Sequence, residues 1–165
     1  MKKSLTSSRE SFDILETPLG EIYLIFSGHL LAGITFYRPR GMPFRSGETA
    51  GPAKRELAEY FSQARKHFSL ETFFPGGSEF ERLVWNTLRE VPYGETRTYK
   101  WLADRIGRPR SCRAVGNALG KNPIPIIFPC HRIIESDGSL GGYSSGTDIK
   151  RRLIEMEYYV RQSEL

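Results

Sequence analysis

The sequence predicts an α+β fold in two small domains. Its 165 residues are enough for two such domains. The amino-terminal part has short apolar runs separated by turn residues, which is typical of β-strands, whereas the second half has apolar residues at helical spacing. Between them, Pro75-Gly76-Gly77 is the best candidate boundary, so we expect domains over residues 1–77 and 78–165.

Composition narrows the class of protein before any motif is considered. Hydrophobic residues make up 39% of the chain and aromatic residues 12%, so a packed core is expected and wholesale disorder is excluded. No apolar run approaches the roughly 20 residues that span a bilayer. The polar opening Met1–Glu10 lacks the pattern of a signal peptide. With only two cysteines there is no disulfide framework, which predicts a reducing, cytoplasmic location without membrane attachment.

Three apolar runs near the amino terminus predict an antiparallel meander. Phe12–Leu15 and Ile22–Phe26 flank the turn sequence Thr17-Pro18-Leu19-Gly20. After a short polar interruption, Leu30–Tyr37 supplies the third run. Runs of this length and composition are typical of neighbouring strands joined by tight turns.

Two helices are expected on either side of the candidate boundary. The Gly- and Pro-rich segment Arg38–Pro52 is predicted to be a loop, and a helix over Ala53–Phe68 should follow it. Its apolar residues keep helical spacing: Leu57, Phe61, Ala64 and Phe68. Ser78 and Glu81 then have capping-box spacing, which predicts a second helix that ends before Pro92-Tyr93-Gly94.

A helix-turn-helix motif is predicted next. Thr98 can cap a short helix, and Gly107 lies where the end of a helix favours a left-handed residue. Arg108-Pro109-Arg110 forms the turn, and Ser111 can cap a second short helix that ends at Gly120.

The remaining chain alternates between irregular and helical patterns. Asn122–Ile134 is rich in Pro and β-branched residues, so we expect it to be extended and buried. Gly138–Gly146 is a Gly/Ser loop. The last helix is predicted to start at Thr147 or Asp148 and to run to about Val160.

Positive charge concentrates on the two-helix motif rather than on the chain as a whole, whose net charge is +5. Asp104 is the only acid between Thr96 and Lys121, where the basic residues are Arg97, Lys100, Arg105, Arg108, Arg110, Arg113 and Lys121. A solvated basic face is the simpler explanation, but its coincidence with a two-helix motif favours phosphate contacts. The small residues of the second helix favour shape-based, minor-groove docking over operator recognition.

Cys130 and His131 form the most informative pair in the chain. A thiol is a strong nucleophile only as thiolate, and a nearby imidazole promotes that ionisation. On an extended segment successive side chains point to opposite sides, so a bridging water or a local bend would be needed. The alternative is a structural cysteine beside a surface histidine. Cys112 is interpreted as structural, and His29 and His67 have no cysteine partners at metal-ligand spacing.

Glu157 is the second unusual residue. It shares a helical face with Ile149, Leu153 and Val160, where an apolar side chain is expected. One interpretation is an acid near the end of a helix that reaches solvent. The other is a buried acid that orients an imidazole, as the third member of a nucleophile–base–orienter chain.

Six short motifs of the second half occur together in a fixed order. They are Val91-Pro92-Tyr93-Gly94-Glu95-Thr96, Thr98-Tyr99, Arg113-Ala114-Val115-Gly116-Asn117-Ala118, Asn122-Pro123, Pro129-Cys130-His131-Arg132-Ile133-Ile134 and Leu140-Gly141-Gly142-Tyr143. With these motifs the segment Phe80–Glu157 closely resembles the O6-alkylguanine-DNA alkyltransferases, also called methylated-DNA–protein-cysteine methyltransferases. The resemblance implies a ribonuclease-H-like amino-terminal sheet with a helix. It also implies a mostly helical second domain with a winged helix-turn-helix-like motif.

For the reaction, the resemblance implies irreversible transfer of an alkyl group from O6 of a flipped guanine to Cys130, without turnover and without a cofactor. His131 matches the general base that acts through water, and Glu157 matches the acid that orients it. Tyr99 matches the tyrosine that assists the leaving guanine at N3. Asn122 matches the asparagine that braces the site. Flipping is required because a stacked base hides its substituent from a buried thiol.

For binding, the resemblance implies that a monomer docks on the minor groove of duplex DNA containing alkylated guanine, with possible activity on O4-alkylthymine. Arg113 matches the arginine that fills the space of the extruded nucleotide. Further DNA contacts are expected from Thr98, Ala114, Gly116, Lys121 and Arg110. The substrate pocket is expected to include Tyr143, Ser144, Ser145, Pro125 and Ile133. No cysteine precedes Cys112, so the structural zinc of some relatives is not expected.

Positions 81 and 145, among others, depart from the family pattern, and three other functions compete with this one. Glu81 replaces the usual glutamine, and Ser145 occupies a loop position often held by glycine or a bulky residue, which bears on pocket width. The competing functions are a non-catalytic lesion-binding relative, a helix-turn-helix transcription factor and a cysteine hydrolase. Cys130 argues against the first, and the small residues of the second helix argue against the second.

Overall fold

The fold is mixed α+β, as the sequence predicts. The computed structural model describes residues 10–45 and 51–165, so the opening segment 1–9 and part of the expected loop, 46–50, lie outside the described residues. The chain divides into two compact units, Met1–Pro75 and Gly76–Leu165. The described residues contain one three-stranded antiparallel sheet, a two-stranded parallel pair and five α-helices.

The first unit is built on the predicted meander, which is confirmed. Strands β1 (Glu10–Thr17), β2 (Gly20–Ser27) and β3 (Leu30–Thr35) pair antiparallel in sequence order. The β1–β2 turn closes at Gly20, whose φ of +97° suits glycine and strains other residues. Buried apolar side chains of the sheet form much of the core of this unit: Phe12, Leu15, Ile22, Leu24, Phe26, Leu31 and Ile34.

Helix α1 (Gly51–Gln63) contacts β1 and is shorter than predicted. Its buried face consists of Ala53, Glu56, Leu57 and Tyr60 rather than the face expected from the apolar spacing. The helix ends because Ala64 takes a left-handed φ of +55°. Arg65 then turns back to pair with Glu56 at 2.9 Å. Phe68 continues the apolar spacing but lies outside the helix, where its ring packs near that of Tyr60.

The second unit begins with α2 (Glu79–Thr87), whose capping box is confirmed. The Glu81 amide donates to Ser78 Oγ at 3.1 Å, and the Ser78 amide donates to the Glu81 carboxylate at 2.9 Å. Trp85 is buried and donates its indole N–H to the carbonyl of Ala118 at 2.7 Å. This bond ties α2 to the helix pair that follows, because Ala118 belongs to the second helix of that pair.

The predicted pair of short helices is present as α3 (Tyr99–Arg105) and α4 (Cys112–Gly120). Thr98 caps α3 by accepting from the Trp101 amide at 3.0 Å. Ser111 occupies the N-cap position of α4, but the predicted side-chain cap is wrong. Its backbone has φ −105° and ψ 22°, outside the extended conformation that directs a cap hydroxyl at the helix amides.

The expectation of an extended segment over Asn122–Ile134 is wrong except at Ile133–Ile134, and most of the segment is buried as predicted. Three prolines remove amide donors that a strand needs, and the Asn122 side chain bonds locally instead. Its amide donates to the Phe128 carbonyl at 2.8 Å, and its oxygen accepts from the Ile124 amide at 3.0 Å. Turns result, followed by a 3-10 turn at Cys130–Arg132.

Two short elements that the sequence does not predict complete the unit. Strand β4 (Arg97–Thr98) pairs parallel with β5 (Ile133–Ile134), which follows directly after the 3-10 turn. The pairing ties the segment after Cys130 to the start of α3. Both strands have only two residues, too few for a period-2 pattern to be visible in the sequence.

The last helix, α5 (Thr147–Ser163), starts where the sequence predicts and runs slightly further. Its buried residues are Lys150, Leu153 and Glu157, whereas Ile149 and Val160, expected on the face of Leu153 and Glu157, are half-buried. The burial of two charged side chains on one face is the feature that leads to the candidate site. No helix within the described ranges combines the length and apolar character needed to cross a membrane.

Candidate functional site

A cavity of about 480 Å³ lies in the second unit, with Cys130 in its wall. Its volume falls in the range of small-ligand sites. Of the residues predicted from the sequence, it brings together Cys130, Tyr99, Arg113, Gly116, Tyr143 and Ser144. Cys112, which we interpreted as structural, is instead exposed and also lines this cavity.

Three residues expected in the substrate pocket do not line this cavity. Ile133 is fully buried on β5, and Pro125 is buried within the turns that precede Cys130. Ser145 follows the lining residue Ser144 but lies in the tight turn before α5, where Gly146 bonds back to Tyr143.

Cys130, His131 and Arg132 form one 3-10 turn. Because a 3-10 turn rotates by about 120° per residue, three successive side chains point in three directions. Cys130 faces the cavity, whereas His131 and Arg132 both reach Glu157 of α5. All four residues are buried. The turn therefore places the thiol on one side of a buried charge network.

The Glu157 carboxylate is the centre of that network. Its Oε1 accepts from His131 Nε2 at 2.8 Å and from Arg132 Nη2 at 2.9 Å. Its Oε2 accepts from Arg132 Nε at 2.8 Å and from the Gly94 amide at 3.2 Å. Burial alone would raise the pKa of Glu157, but the His131 ring and the Arg132 guanidinium outweigh it and hold that pKa well below its usual range.

The Glu157 contact assigns the tautomer of His131. With Nε2–H donating to the carboxylate, the neutral ring carries its lone pair on Nδ1. This nitrogen is buried and has no hydrogen-bond partner among the described residues. In this tautomer Nδ1 is the ring nitrogen that can accept a further hydrogen bond or a proton.

Burial raises the pKa of the Cys130 thiol above its usual value. The Asn122 amide, the Tyr143 hydroxyl and the charge of Lys150 act in the opposite direction but do not cancel the effect of burial. Tyr143 lies close to the thiol, yet its buried hydroxyl forms no well-aligned hydrogen bond within the described part of the chain. Burial therefore favours the protonated thiol of Cys130 in the free protein.

Tyr99 is half-buried at the start of α3 and faces the cavity. Gly141, with a φ of +69°, passes so close that an added Cβ would lie 2.8 Å from the Tyr99 hydroxyl and 3.2 Å from a Glu135 carboxylate oxygen. Burial, and after it the negative charge of Glu135, raises the pKa of Tyr99. The Tyr99 hydroxyl therefore stays protonated and able to donate.

Lys150 and Arg132 are functional candidates that sequence reasoning missed. The Lys150 ammonium is buried and donates to the carbonyls of Leu140 and Gly142, which fixes the loop before Tyr143. Burial lowers the pKa of Lys150. A signal was present for Lys150, because it lies three and seven residues before Leu153 and Glu157 on one helical face. The sequence position of Arg132 gave no such signal.

Four of the seven basic residues of the two-helix motif are neutralised by carboxylates. They form the pairs Arg97–Glu95, Lys100–Asp104, Arg105–Glu90 and Lys121–Glu81. Arg108, Arg110 and Arg113 are exposed and form no ion pair with any described residue. These three arginines are the cations best placed to meet phosphates.

The other residues expected to contact DNA lie on the same two helices. Ala114 is exposed near the start of α4, and Gly116 is half-buried beside Tyr99. Thr98 is used as the cap of α3. No three His, Cys, Asp or Glu side chains within residues 10–45 and 51–165 are grouped closely enough to hold a metal ion.

The second unit thus combines a buried cysteine in the wall of a cavity with a pair of helices that carries exposed arginines. Residues 79–159 match the family model of the DNA-binding domain of 6-O-methylguanine DNA methyltransferase. A methylated-DNA–protein-cysteine methyltransferase of Methanosarcina barkeri is 44% identical over 152 residues, which cover 88% of this chain and 96% of that protein. Another, from Mycolicibacterium paratuberculosis, is 39% identical over 148 residues, covering 87% and 89%.

Solved structures agree with these relatives. The crystal structure of Mycobacterium tuberculosis O6-methylguanine methyltransferase superposes with a TM-score of 0.83 at 37% identity, covering 91% of this chain and 93% of that one. The same organism's OGT in complex with DNA gives a TM-score of 0.84 at 36% identity, covering 90% and 93%. The chain belongs to the methylated-DNA–protein-cysteine methyltransferase family.

Proposed function

We propose that the protein repairs O6-alkylguanine in DNA by transferring the alkyl group to its own Cys130. One observation carries the proposal. Cys130, the only buried cysteine among the described residues, lines a cavity large enough for a base, and the next residue, His131, is held by Glu157. The sulfur–carbon bond forms as the carbon–O6 bond breaks, and the electron pair of that bond remains on guanine. The product is a stable thioether, so each molecule reacts once.

The proton of the thiol is removed when the substrate is in place. His131 Nδ1 takes it through a water molecule, while Nε2–H keeps its bond to Glu157. The Tyr99 hydroxyl donates to N3 of guanine and stabilises the negative charge of the leaving base, which finally takes up the proton lost by the thiol. Asn122 braces the turns before Cys130 through its two backbone contacts. No step uses a cofactor or a metal ion.

DNA binding in this proposal uses the α3–α4 pair on the minor groove of a duplex that contains alkylated guanine. Arg113 is exposed and lines the cavity, which supports a role in filling the space of the flipped nucleotide. Arg110 and Ala114 face the backbone and the groove floor, Gly116 permits close approach, and Thr98 and Lys121 add contacts at the edges. For Lys121, release from Glu81 would be required.

The proposal also assigns a role to each domain, an oligomeric state and a cellular location. Residues 78–165 form the alkyl-acceptor domain with a winged helix-turn-helix-like motif, and residues 1–77 form a ribonuclease-H-like sheet-and-helix domain. Tyr143 and Ser144 wall the alkyl group, with Ser145, Pro125 and Ile133 supporting that wall from behind. The protein acts as a monomer in the cytoplasm, a compartment that suits its two free thiols.

Intact-protein mass spectrometry tests the function. After incubation with a duplex containing O6-methylguanine, we expect a mass gain of one methyl group, located on Cys130 by peptide mapping and stoichiometric with protein. Cys130→Ala should gain nothing yet bind the duplex in a fluorescence-anisotropy titration, whereas Cys112→Ala should react like the wild type. Binding without any mass gain in the wild type would favour the non-catalytic lesion-binding function.

A further inference from the structure

A segment of the first unit, Tyr37–Arg45, combines positive charge with exposed aromatic rings. Arg38 and Arg40 are exposed and form no ion pair with any described residue. Tyr37 is 69% exposed and Phe44 is 54% exposed, so both rings leave much of their surface open to a partner. Aromatic rings are usually packed, because they contribute most to a core when they are buried. The segment therefore presents cations and aromatic surface together, outside the core of the unit.

Backbone contacts with the sheet anchor this segment. The Phe12 amide of β1 donates to the Pro43 carbonyl at 3.1 Å, and the Arg45 amide donates to the Phe12 carbonyl at 2.7 Å. The Arg45 guanidinium donates in addition to the Gly28 carbonyl, which follows β2. Arg45 is therefore part of the anchor, and the segment holds its exposed groups beside β1 instead of leaving them on a free loop.

Two of the exposed groups pack against the same buried ring. The centre of the Phe44 ring lies 5.6 Å from that of Phe12, in an edge-to-face arrangement. The Arg38 guanidinium lies 5.6 Å from the centre of the Phe12 ring as well. Arg38 and Phe44 are therefore within about 11 Å of each other. Tyr37 directly precedes Arg38, and Arg40 follows two residues later, so all four exposed groups belong to one small region of the unit.

Cations beside exposed aromatic rings match the chemistry of single-stranded nucleic acid. Arginines neutralise phosphates, and each unpaired base offers a flat face that stacks on an aromatic ring. A duplex keeps those faces inside its own stack, so it would use the arginines without the rings. Residues 22–47 contain no Asp or Glu, which favours a polyanionic partner over an acceptor of mixed charge.

We propose that the Tyr37–Arg45 segment is a second nucleic-acid site, which binds a single-stranded stretch of DNA. Tyr37 and Phe44 stack on unpaired bases. Arg38 and Arg40 contact the phosphates between those bases. This site goes beyond the proposed alkyl transfer, because it uses no residue of the cavity or of the α3–α4 pair and needs no damaged base.

Fluorescence anisotropy with the full chain tests the site on two labelled oligomers. One is a thymidine oligomer of about 16 nucleotides, and the other is an abasic oligomer of the same length, which has phosphates but no bases. Tyr37→Ala should weaken binding of the thymidine oligomer about tenfold, as for loss of one stacked base, and leave binding of the abasic oligomer unchanged. Arg40→Ala should weaken binding of both and lower the slope of log affinity against log salt by about 0.7. Both variants should bind a blunt duplex like the wild type.

Phe73→Ala and Arg55→Ala are matched controls in the same unit, since they remove an exposed ring and an exposed arginine outside the segment. Both should bind the two oligomers like the wild type. The proposal is overturned if Tyr37→Ala keeps full affinity for the thymidine oligomer, loses as much on the abasic oligomer or on the blunt duplex, or loses no more than the controls. Failure of the wild type to methylate Cys130 would instead refute the proposed function and leave this comparison intact.

Discussion

Replacing Glu157 by glutamine tests how much the free energy of unfolding of the second unit depends on its buried charge network. The two carboxylate oxygens accept four hydrogen bonds, from His131, from two nitrogens of Arg132 and from the Gly94 amide. Glutamine keeps one oxygen and turns an NH2 group toward the remaining donors. Arg132, which is buried, is left with an uncompensated charge. Removing one partner of a buried ion pair costs about 3–5 kcal/mol, and we expect Glu157→Gln to fall in that range.

The same contacts predict how the loss depends on pH. A glutamate has an ordinary pKa of 4.5, and in the folded protein that of Glu157 lies well below it. A carboxylate with a depressed pKa stabilises the fold fully above its unfolded pKa, and this contribution is lost as pH falls through the folded value. The stability difference between wild type and Glu157→Gln should therefore be constant at neutral pH and shrink below about pH 4.5.

Tryptophan fluorescence can follow this unit alone, since the two tryptophans of the chain, Trp85 and Trp101, both lie in it. Urea unfolding curves at several pH values give the free energy of unfolding of each variant. Glu155→Gln, an exposed change two residues earlier on α5, is the control and should stay within about 0.5 kcal/mol of wild type. A loss below about 1 kcal/mol for Glu157→Gln, or the same difference at pH 4 and pH 7, would refute the reasoning.

Two further predictions concern DNA capture and helix α2. Arg113→Ala should slow methyl transfer from duplex DNA at least tenfold in single-turnover assays and leave the reaction with a free O6-alkylguanine base unchanged. The reason is that Arg113 is exposed at the cavity and pairs with no described residue. Equal losses on both substrates would contradict its role in flipping. Ser78→Ala removes the hydroxyl that caps α2 and should lower the free energy of unfolding by about 1 kcal/mol in the same urea assay. An exposed serine without a cap, Ser136, provides its control.

Local chemistry explains why some elements could be predicted from the sequence. The capping box at Ser78 and Glu81 and the cap at Thr98 depend on residues within one turn of each other. The unusual place of Glu157 on a helical face was also visible from spacing alone, and its contact with His131 supports the second of the two interpretations given for it. Its role in the reaction remains part of the proposal.

The elements that differ from prediction depend on contacts between distant residues. The end of α1 is set by Arg65 folding back to Glu56, although Phe68 continues the apolar spacing. The turns before Cys130 are held by the Asn122 side chain, which a pattern of Pro and β-branched residues does not reveal. Arg132 shares Glu157 with His131 across the fold, and nothing in its sequence position indicates that partner.

The buried, protonated state of Cys130 has a consequence for a protein that reacts once. A permanently ionised, accessible thiolate is the form that oxidants attack, and its oxidation would consume the molecule without repairing DNA. Burial raises the pKa of Cys130 and favours the thiol, and in the proposed reaction His131 Nδ1, oriented by Glu157, is the base. In the proposed reaction, loss of the thiol proton is coupled to filling of the cavity by the flipped base, because only then is the attacked carbon present to take up the sulfur's electron pair.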